Sequence, residues 1–525
     1  MFRQTSEKDR FESFKAQWST GNHLVSVDQL LPRAVAAHGD KPALIEPDRT
    51  LTYRQWWFYT LSMVTKLERM GVKAGDRVVL YATNSCEFYI SYFAIWHLGA
   101  IVVPLNVYLH EREMAGILRD ADPAAIVLLA SMTDKMHAAR DLAPTVTAEQ
   151  LILDDSFWQQ HHYSRTRLDQ LDAVCPAIHR KLSDTAVILY TSGTTGVPKG
   201  VMLSSRNVVT NALQVLARFD STVTTDGHER FFSVLPLFHV FAQNACMWLP
   251  VMLGSAIIIV PRIDRRAILN GLQHKPTMFF GFPALFGLLV MMRNAPLDAV
   301  KLFVSGADAL PDKIRMAFAL VYGRKIASGY GLTEASPVIA VDHSSYDNPT
   351  NVVGTPVVGV TCQIRDDNEV AVPTGSVGTL WVKGDNVMQG YYNAPELTAP
   401  ILKNGWLNTG DLATIDADGV VAIVGRCKDV IINKGFNIYP QEIENVLLRH
   451  PAVIKAAVVG KADGDVGQIP VAYVAVREGQ DLTQDEIAKF CKQNLAVYKV
   501  PKSITCLADL PMTATGKIDK KQLGS

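Results

Sequence analysis

The segment Leu189-Tyr190-Thr191-Ser192-Gly193-Thr194-Thr195-Gly196-Val197-Pro198-Lys199-Gly200 carries three glycines, four small hydroxyl side chains and one lysine, directly after an apolar run, Thr185 to Leu189, that reads as a buried strand. Glycine lets backbone approach an anion closely, successive N–H groups and hydroxyls donate hydrogen bonds to it, and a lysine adds a mobile positive charge, so this set of residues suits phosphate. It is not a Walker A loop. With Lys199 in the lysine position and Gly193 as the first glycine, Pro198 stands where the second glycine belongs and Gly200 where the metal-binding Ser/Thr belongs. Read alone, the string is also compatible with a surface Gly/Ser/Thr loop.

Other residues suit chemistry by type. His239 follows the strand pattern Phe231–Leu235, and open α/β sheets bind ligands beyond the carboxyl ends of their strands; a structural histidine fits the same place. Tyr330 has a flat face for stacking, Thr333 a hydroxyl, and Glu334 a hard oxygen suited to Mg²⁺. Asp411 follows Gly410 in a turn-rich stretch, where a carboxylate can accept both hydroxyls of a ribose or simply close a turn.

The phosphate loop is the first of five strings that stand in one order along the chain. The others are Tyr330-Gly331-Leu332-Thr333-Glu334, Gly405-Trp406-Leu407-Asn408-Thr409-Gly410-Asp411, Gly425-Arg426-Cys427-Lys428-Asp429 and Thr515-Gly516-Lys517-Ile518-Asp519. Together they resemble the signatures of the adenylate-forming superfamily of acyl-CoA synthetases, carrier-protein-loading adenylation domains and firefly-type luciferases. The segment Asp429 to Pro440 looks most like medium- and long-chain fatty acid–CoA ligases. Coumarate ligases and luciferases commonly carry a lysine where Ile432 stands, which turns the reading away from aromatic acids and light emission.

The resemblance implies ATP-dependent activation of a carboxylic acid through an acyl-adenylate, with release of pyrophosphate, then transfer to CoA; ATP, Mg²⁺ and CoA are the implied cofactors. It implies that Thr191, Ser192, Gly193, Thr194, Thr195, Gly196 and Lys199 hold the β- and γ-phosphates. Tyr330 would stack on adenine, Thr333 would meet the α-phosphate, Glu334 would hold Mg²⁺, and Asp411 would bind the ribose. Lys517 would neutralise charge between the acyl carboxylate and the α-phosphate, His239 would lie between nucleotide and acyl pocket, and Lys428 would be the hinge of a mobile C-terminal domain. Gly306, Gly331, Arg426, Gly435 and Asn437 complete the cofactor-binding set. CoA is favoured over a carrier-protein thiol because no carrier module is appended after the C-terminal domain, and a free acyl carrier protein stays an alternative acceptor. A kinase releasing ADP conflicts with the broken Walker pattern. A non-catalytic nucleotide-binding member would be expected to lack Lys517, Glu334 or Asp411, and all three are present.

The elements that must position these residues read as α/β. Residues 27–130 alternate helix and strand patterns: a capping box Thr52-x-x-Gln55 opening a helix to about Met70, a strand Arg77–Ala82, a helix from about Asn84 to Leu98, and strands Ile101–Pro104 and Ala124–Ala130. Such alternation predicts a parallel sheet covered by helices on both faces, and a second round begins at the phosphate loop. His97 and the pair Trp56-Trp57 are read as core or interface residues. Phe282–Met292 reads as a helix apolar nearly all round, hence core, although in fatty-acyl members of the superfamily this region flanks the acyl tunnel.

From Val352 to Val424 short strands are separated by Pro-Thr-Gly-Ser, Asn-Gly and Ala-Asp-Gly turns, which predicts a β-subdomain. A smaller αβ unit follows, with a helix from about Pro440, strands Val453–Val459 and Pro470–Val476, and a helix opened by Thr483-x-x-Glu486. The expected architecture is a large N-terminal AMP- and acyl-binding domain, 1–426, of two parallel αβ-layered subdomains plus a β-subdomain at about 350–426, with a separate small α+β C-terminal domain, 427–525.

Composition sets outer bounds. Of 525 residues 48% are hydrophobic and 19% charged, a globular balance with ample surface to bury. Lys+Arg and Asp+Glu are 51 each, so no net field draws the chain to nucleic acid. Seven scattered cysteines without a Cys-x-x-Cys pair point to reduced thiols and a cytoplasmic setting. Met1 to Lys15 lacks the apolar core of a signal peptide. Ala245 to Val260, broken by Pro250 and Gly254, reads as helix, turn and buried strand rather than a membrane span, and peripheral membrane contact stays open.

Overall fold

The structure, a computed structural model, describes residues 6–523 apart from 177, 179, 192–197, 220–222, 225, 343–350, 434–435, 464–466, 478–481 and 513–517. Two large sheets build the N-terminal part. The first runs, in spatial order, Gly390–Tyr391, Lys199–Ser204, Thr185–Thr191, Ile101–Pro104, Arg77–Tyr81, Ala125–Leu129 and Glu149–Leu153. From Thr185–Thr191 onward the pairing is parallel, and the first two strands close the edge antiparallel. Val78, Val79, Leu80, Ile126 and Val127 are fully buried, as expected of strands covered on both faces.

The helix Cys86–His97 lies between this sheet and the second. Every residue of it except Glu87 is buried, because both flanks are packed. Trp96 Nε1 donates to the Ala186 carbonyl in the first sheet at 2.9 Å, and Tyr89 Oη meets Ser233 Oγ in the second, also at 2.9 Å. Thr52 closes the expected capping box on the helix Tyr53–Arg69. His97 and Trp56-Trp57 are buried, with Trp57 Nε1 donating to Asp172.

The second sheet corrects the reading of two consecutive αβ rounds. Pro42–Ile45 and its antiparallel partner Thr50–Thr52 lie in the second sheet, where Pro42–Ile45 pairs parallel with Ala256–Ile259, so the first round contributes to both sheets, while the strands flanking the phosphate loop belong to the first. Strand pairing is non-local: hydrophobic alternation announces a strand but not its partner. Arg230–Ser233, Met278–Gly281, Leu302–Ser305 and Ala327–Gly331 continue the parallel run, after which Val338–Asp342 turns antiparallel. The expected β-subdomain is hydrogen-bonded onto this same sheet, Val338–Asp342 pairing with Val352–Pro356 and that strand with Val421–Arg426. Its turns follow the sequence chemistry. Asn404 and Gly405 take φ of 53° and 79° between the paired residues Lys403 and Trp406, the two positive values a tight hairpin needs.

The helix Pro283–Met292 is not core all round. Leu285, Phe286, Leu289 and Met292 are buried, but Met291 is 74% exposed. Among the described residues no helix is long and apolar enough to cross a membrane.

The C-terminal unit is a five-stranded sheet that includes Ile431–Asn433, Phe436–Ile438, Val453–Asp463, Gly467–Val476 and Ser503–Leu507, with helices Pro440–Arg449 and Gln484–Asn494. Thr483 forms the expected capping box with Glu486. The hairpin Ile431–Ile438 and the strand Ser503–Leu507 had no clear period in sequence. Lys313, on the helix Asp312–Tyr322, donates to the carbonyls of Pro451 and Val453 at 2.9 and 3.2 Å, tying this unit to the second sheet's helices.

Candidate active site

The strands on either side of the phosphate-type loop pair antiparallel, Thr191 with Lys199. It does not open a helix, as a Walker loop would: the strand Lys199–Ser204 intervenes, and only at Ser204, with its capping box to Asn207, does the helix Ser205–Arg218 begin. Ser192, Gly193, Thr194, Thr195 and Gly196 lie outside the described residues, as do Gly435 and Lys517. Lys199 is described. Its ammonium stands 5.2 Å from the ring centroid of Tyr391, within cation–π range.

Tyr391 then reaches the other side of the site. Its hydroxyl donates to Glu334 Oε1 at 2.8 Å, so one buried side chain touches both the Lys199 cation and the Glu334 carboxylate. Burial and, next, the charge of Glu334 push the Tyr391 hydroxyl well above the ordinary phenol range, so it stays a donor. Glu334 sits in the short turn Thr333–Ala335 with Thr333 one residue before it. Among the described residues Glu334 Oε2 has no hydrogen-bond partner. No cluster of three or more His, Cys, Asp or Glu capable of holding a metal occurs among the described residues. One carboxylate linked through Tyr391 to the Lys199 cation fits Mg²⁺, which is bound through one or two carboxylates together with phosphates and water.

Tyr330 is the next-to-last residue of the strand Ala327–Gly331, and Gly331 ends it where no other residue fits: a Cβ there would stand 1.9 Å from the Pro337 carbonyl oxygen. Tyr330 Oη donates to Asp411 Oδ2 at 2.6 Å, and Arg426 Nε lies 2.7 Å from Asp411 Oδ1. Arg426 is the direct cross-strand partner of Asp411, which explains why two motifs 15 positions apart meet. Two side-chain turns aim the carboxylate: Asn408 Oδ1 accepts from Gly410 N at 2.9 Å and Thr409 Oγ1 from Asp411 N at 3.1 Å. Burial and the Asp411 charge hold Tyr330 protonated far above the usual tyrosine range.

His239 caps the short helix Val240–Gln243, its Nδ1 accepting from Phe241 N at 3.3 Å, which leaves Nε2 as the protonated nitrogen. Phe241 lies against Gly306, where an added Cβ would meet the ring at 3.0 Å. His239 and Gly306 therefore share the carboxyl-terminal edge of the second sheet with Tyr330. Lys428 is exposed in the turn Cys427–Asp429, and Asn437, also exposed, pairs with Ile432 in the C-terminal unit; neither contacts the Tyr330–Asp411–Arg426 group by a described bond.

Sequence reading missed the segment Asn386–Tyr391. Asn386 Nδ2 donates to the Ala335 carbonyl and Met388 N to that of Glu334, both at 2.9 Å. Gln389 N and Tyr392 N donate to the Met202 and Gly200 carbonyls, 3.0 and 2.7 Å away, beside the phosphate-type loop. The local signal was only the aromatic pair Tyr391-Tyr392 before Asn393-Ala394-Pro395.

Known proteins resemble this chain over most of its length. The sequence pattern of the AMP-binding enzyme family matches residues 31–392, and that of the AMP-binding enzyme C-terminal domain matches 442–517. A long-chain-fatty-acid–CoA ligase of Bacillus subtilis (strain 168) is 32% identical over 534 aligned positions, covering 95% of this chain and 94% of that one. Among solved structures, ATP-bound MatB from Rhodopseudomonas palustris superposes with a TM-score of 0.83 at 28% identity, covering 94% of this chain and 98% of that one. The anthranilate CoA ligase AuaEII in complex with anthranoyl-AMP superposes with a TM-score of 0.84 at 26% identity, covering 95% and 96%.

Proposed function

Because the chain belongs to the AMP-binding enzyme family, we propose that it activates a medium- or long-chain fatty acid with ATP and passes the acyl group to CoA. The observation that carries this reading is that one side chain, Tyr391, holds both groups: the Lys199 ammonium lies over its ring and its hydroxyl donates to the Glu334 carboxylate. Relatives named as long-chain-fatty-acid–CoA ligases, aligned over nearly the whole chain, support the choice of acid and of CoA.

A carboxylate is a poor electrophile, since its charge repels nucleophiles and oxide is a bad leaving group. In the first half-reaction a carboxylate oxygen attacks the α-phosphorus of ATP, the bond to the β-phosphate oxygen breaks, and pyrophosphate leaves with its electron pair. In the second the thiol sulfur of CoA attacks the acyl carbon, its proton goes to solvent, and AMP departs with the electrons of the C–O bond. The protein needs no side-chain nucleophile; it positions groups and stabilises charge.

Lys199 and the loop bind the β- and γ-phosphates. Glu334 would hold Mg²⁺, which when bound to the phosphates neutralises charge that develops on the departing pyrophosphate. Asp411 takes the ribose hydroxyls, Tyr330 borders the adenine, and Thr333 donates to the α-phosphate. Lys517 reaches the acyl carboxylate and α-phosphate during adenylation, and Lys428 is the pivot about which residues 427–525 move before the thiol arrives. His239, at the strand edge beside Phe241 and Gly306, borders the acyl carboxylate.

The test is acid-dependent pyrophosphate release across chain lengths, with CoA and acyl carrier protein offered separately as acceptors. Stoichiometric AMP, pyrophosphate and acyl-CoA, with turnover rising toward medium or long chains, is the expected result. Release of ADP and orthophosphate, or faster turnover of aromatic than of aliphatic acids, would overturn it.

A further inference from the structure

Glu334 is held by an unusual number of bonds from one short segment. Its own carbonyl accepts from Met388 N, the next carbonyl, of Ala335, accepts from Asn386 Nδ2, and its side chain accepts from Tyr391 Oη at 2.8 Å. Asn386 is completely buried, and Tyr391 is 8% exposed. The same segment is stitched to the strand that leaves the phosphate-type loop: Tyr391 pairs with Val201 and Gly390 with Met202. Asn207, at the start of the following helix, donates through Nδ2 to the carbonyls of Asp385 and Val387 at 2.7 and 2.8 Å.

A glutamate side chain on an open turn has three rotatable bonds, and a carboxylate that must meet a cation at one place loses affinity with each orientation it samples. A hydrogen bond from a neighbour to one oxygen removes most of that freedom and presents the other oxygen. Tyr391 Oη is such a donor. Its ring is fixed by burial and by strand pairing, its bond goes to Oε1, and Oε2 is left without a partner among the described residues. Because the Lys199 ammonium lies over the same ring, the positions of the phosphate-binding cation and of the carboxylate are set by one side chain.

We propose that Tyr391 is a positioning residue that orients Glu334 toward the divalent cation of the metal–nucleotide complex and keeps it in register with Lys199. The proposal rests on the reading of Glu334 as the metal-binding carboxylate. It assigns Tyr391 no contact with substrate: the hydroxyl acts through Glu334 and the ring through Lys199.

The test is Mn²⁺ titration of the full-length enzyme with saturating ATP, free Mn²⁺ being followed by electron paramagnetic resonance. Tyr391→Phe keeps the ring under Lys199 and removes only the hydroxyl. We expect it to weaken Mn²⁺ binding about 10-fold, in the range for losing the hydrogen-bond partner of a ligand. Glu334→Gln should weaken binding at least as much, and the double variant should bind no worse than Glu334→Gln alone, because the hydroxyl has effect only through that carboxylate. Parent-like Mn²⁺ binding by Tyr391→Phe beside weakened binding by Glu334→Gln overturns the positioning role and spares the metal-ligand reading. Parent-like binding by Glu334→Gln removes that reading and this proposal with it. If Tyr391→Phe melts early, its titration is run below its own melting temperature, beside the parent at the same temperature, with the same criteria.

Discussion

Asp411 is clamped between two groups: Tyr330 Oη donates to its Oδ2 at 2.6 Å while Arg426 Nε faces its Oδ1 across 2.7 Å. A carboxylate 4% exposed and held from both sides is pre-oriented before any ligand arrives. Ribose contacts are made in ground and transition states alike, so their loss appears in KM. Asp411→Ala is expected to raise the KM for ATP about 10–100-fold, the equivalent of a hydrogen bond to a charged group, with a smaller fall in kcat. Tyr330→Phe, which removes one arm of the clamp, should shift KM the same way but less. Steady-state kinetics with ATP varied decides it, and an unchanged KM in Asp411→Ala moves the ribose site elsewhere.

Lys517 supplies the charge between carboxylate and α-phosphate in the proposed mechanism. Lys517→Ala should leave ATP binding nearly intact and slow adenylate formation by about 10²–10³, the range for losing one positioned charge-stabilising donor. Pyrophosphate release at the parent rate would take the catalytic role away from this lysine.

Lys428 lies in the turn Cys427–Asp429, between the strand Val421–Arg426 and the hairpin that opens the C-terminal unit. A pivot there must change φ and ψ, and proline fixes φ near −65° and removes an N–H. Rotation must also break the two bonds that Lys313 makes to the Pro451 and Val453 carbonyls. Lys428→Pro is expected to keep ATP–pyrophosphate exchange while thioester formation from supplied acyl-adenylate and CoA falls by orders of magnitude. Equal loss of both half-reactions, or equal retention, contradicts a pivot at this position.

Gly331 is tightly enclosed, an added Cβ meeting the Pro337 carbonyl oxygen at 1.9 Å and its carbon at 2.7 Å. Both are backbone atoms, so the turn that carries Thr333 and Glu334 would have to move. Gly331→Ala should cost about 1–3 kcal/mol of stability, as overpacking does, and raise the KM for ATP. Gly116, in the helix Glu111–Ala121, has nothing within 4 Å of its Cβ position. Gly116→Ala should therefore stabilise by up to about 1 kcal/mol through helix propensity alone. Paired thermal melts check both, and equal melting temperatures for the two variants would refute the steric argument.

Local strings determined a good deal by themselves. The Gly/Ser/Thr/Lys loop, the capping boxes at Thr52 and Thr483, and the Asn404-Gly405 hairpin follow from chemistry within a few residues, where backbone conformation and short-range hydrogen bonds act. That Tyr330, Thr333, Glu334 and Asp411 are of the right types for a nucleotide was equally legible.

What joins them was decided in three dimensions. Asp411 meets Arg426 because two strands pair in one register, and meets Tyr330 because the strand Val352–Pro356 fuses the β-rich region to the second sheet. The hairpin of Pro42–Ile45 and Thr50–Thr52 joins a different sheet from the strand Arg77–Tyr81 that follows it, and Tyr391 reaches Glu334 from 57 positions away. Strand register, sheet membership and side-chain contacts between distant segments depend on which buried surfaces fit together, and a pattern of periods 2 and 3.6 records the faces without naming their partners.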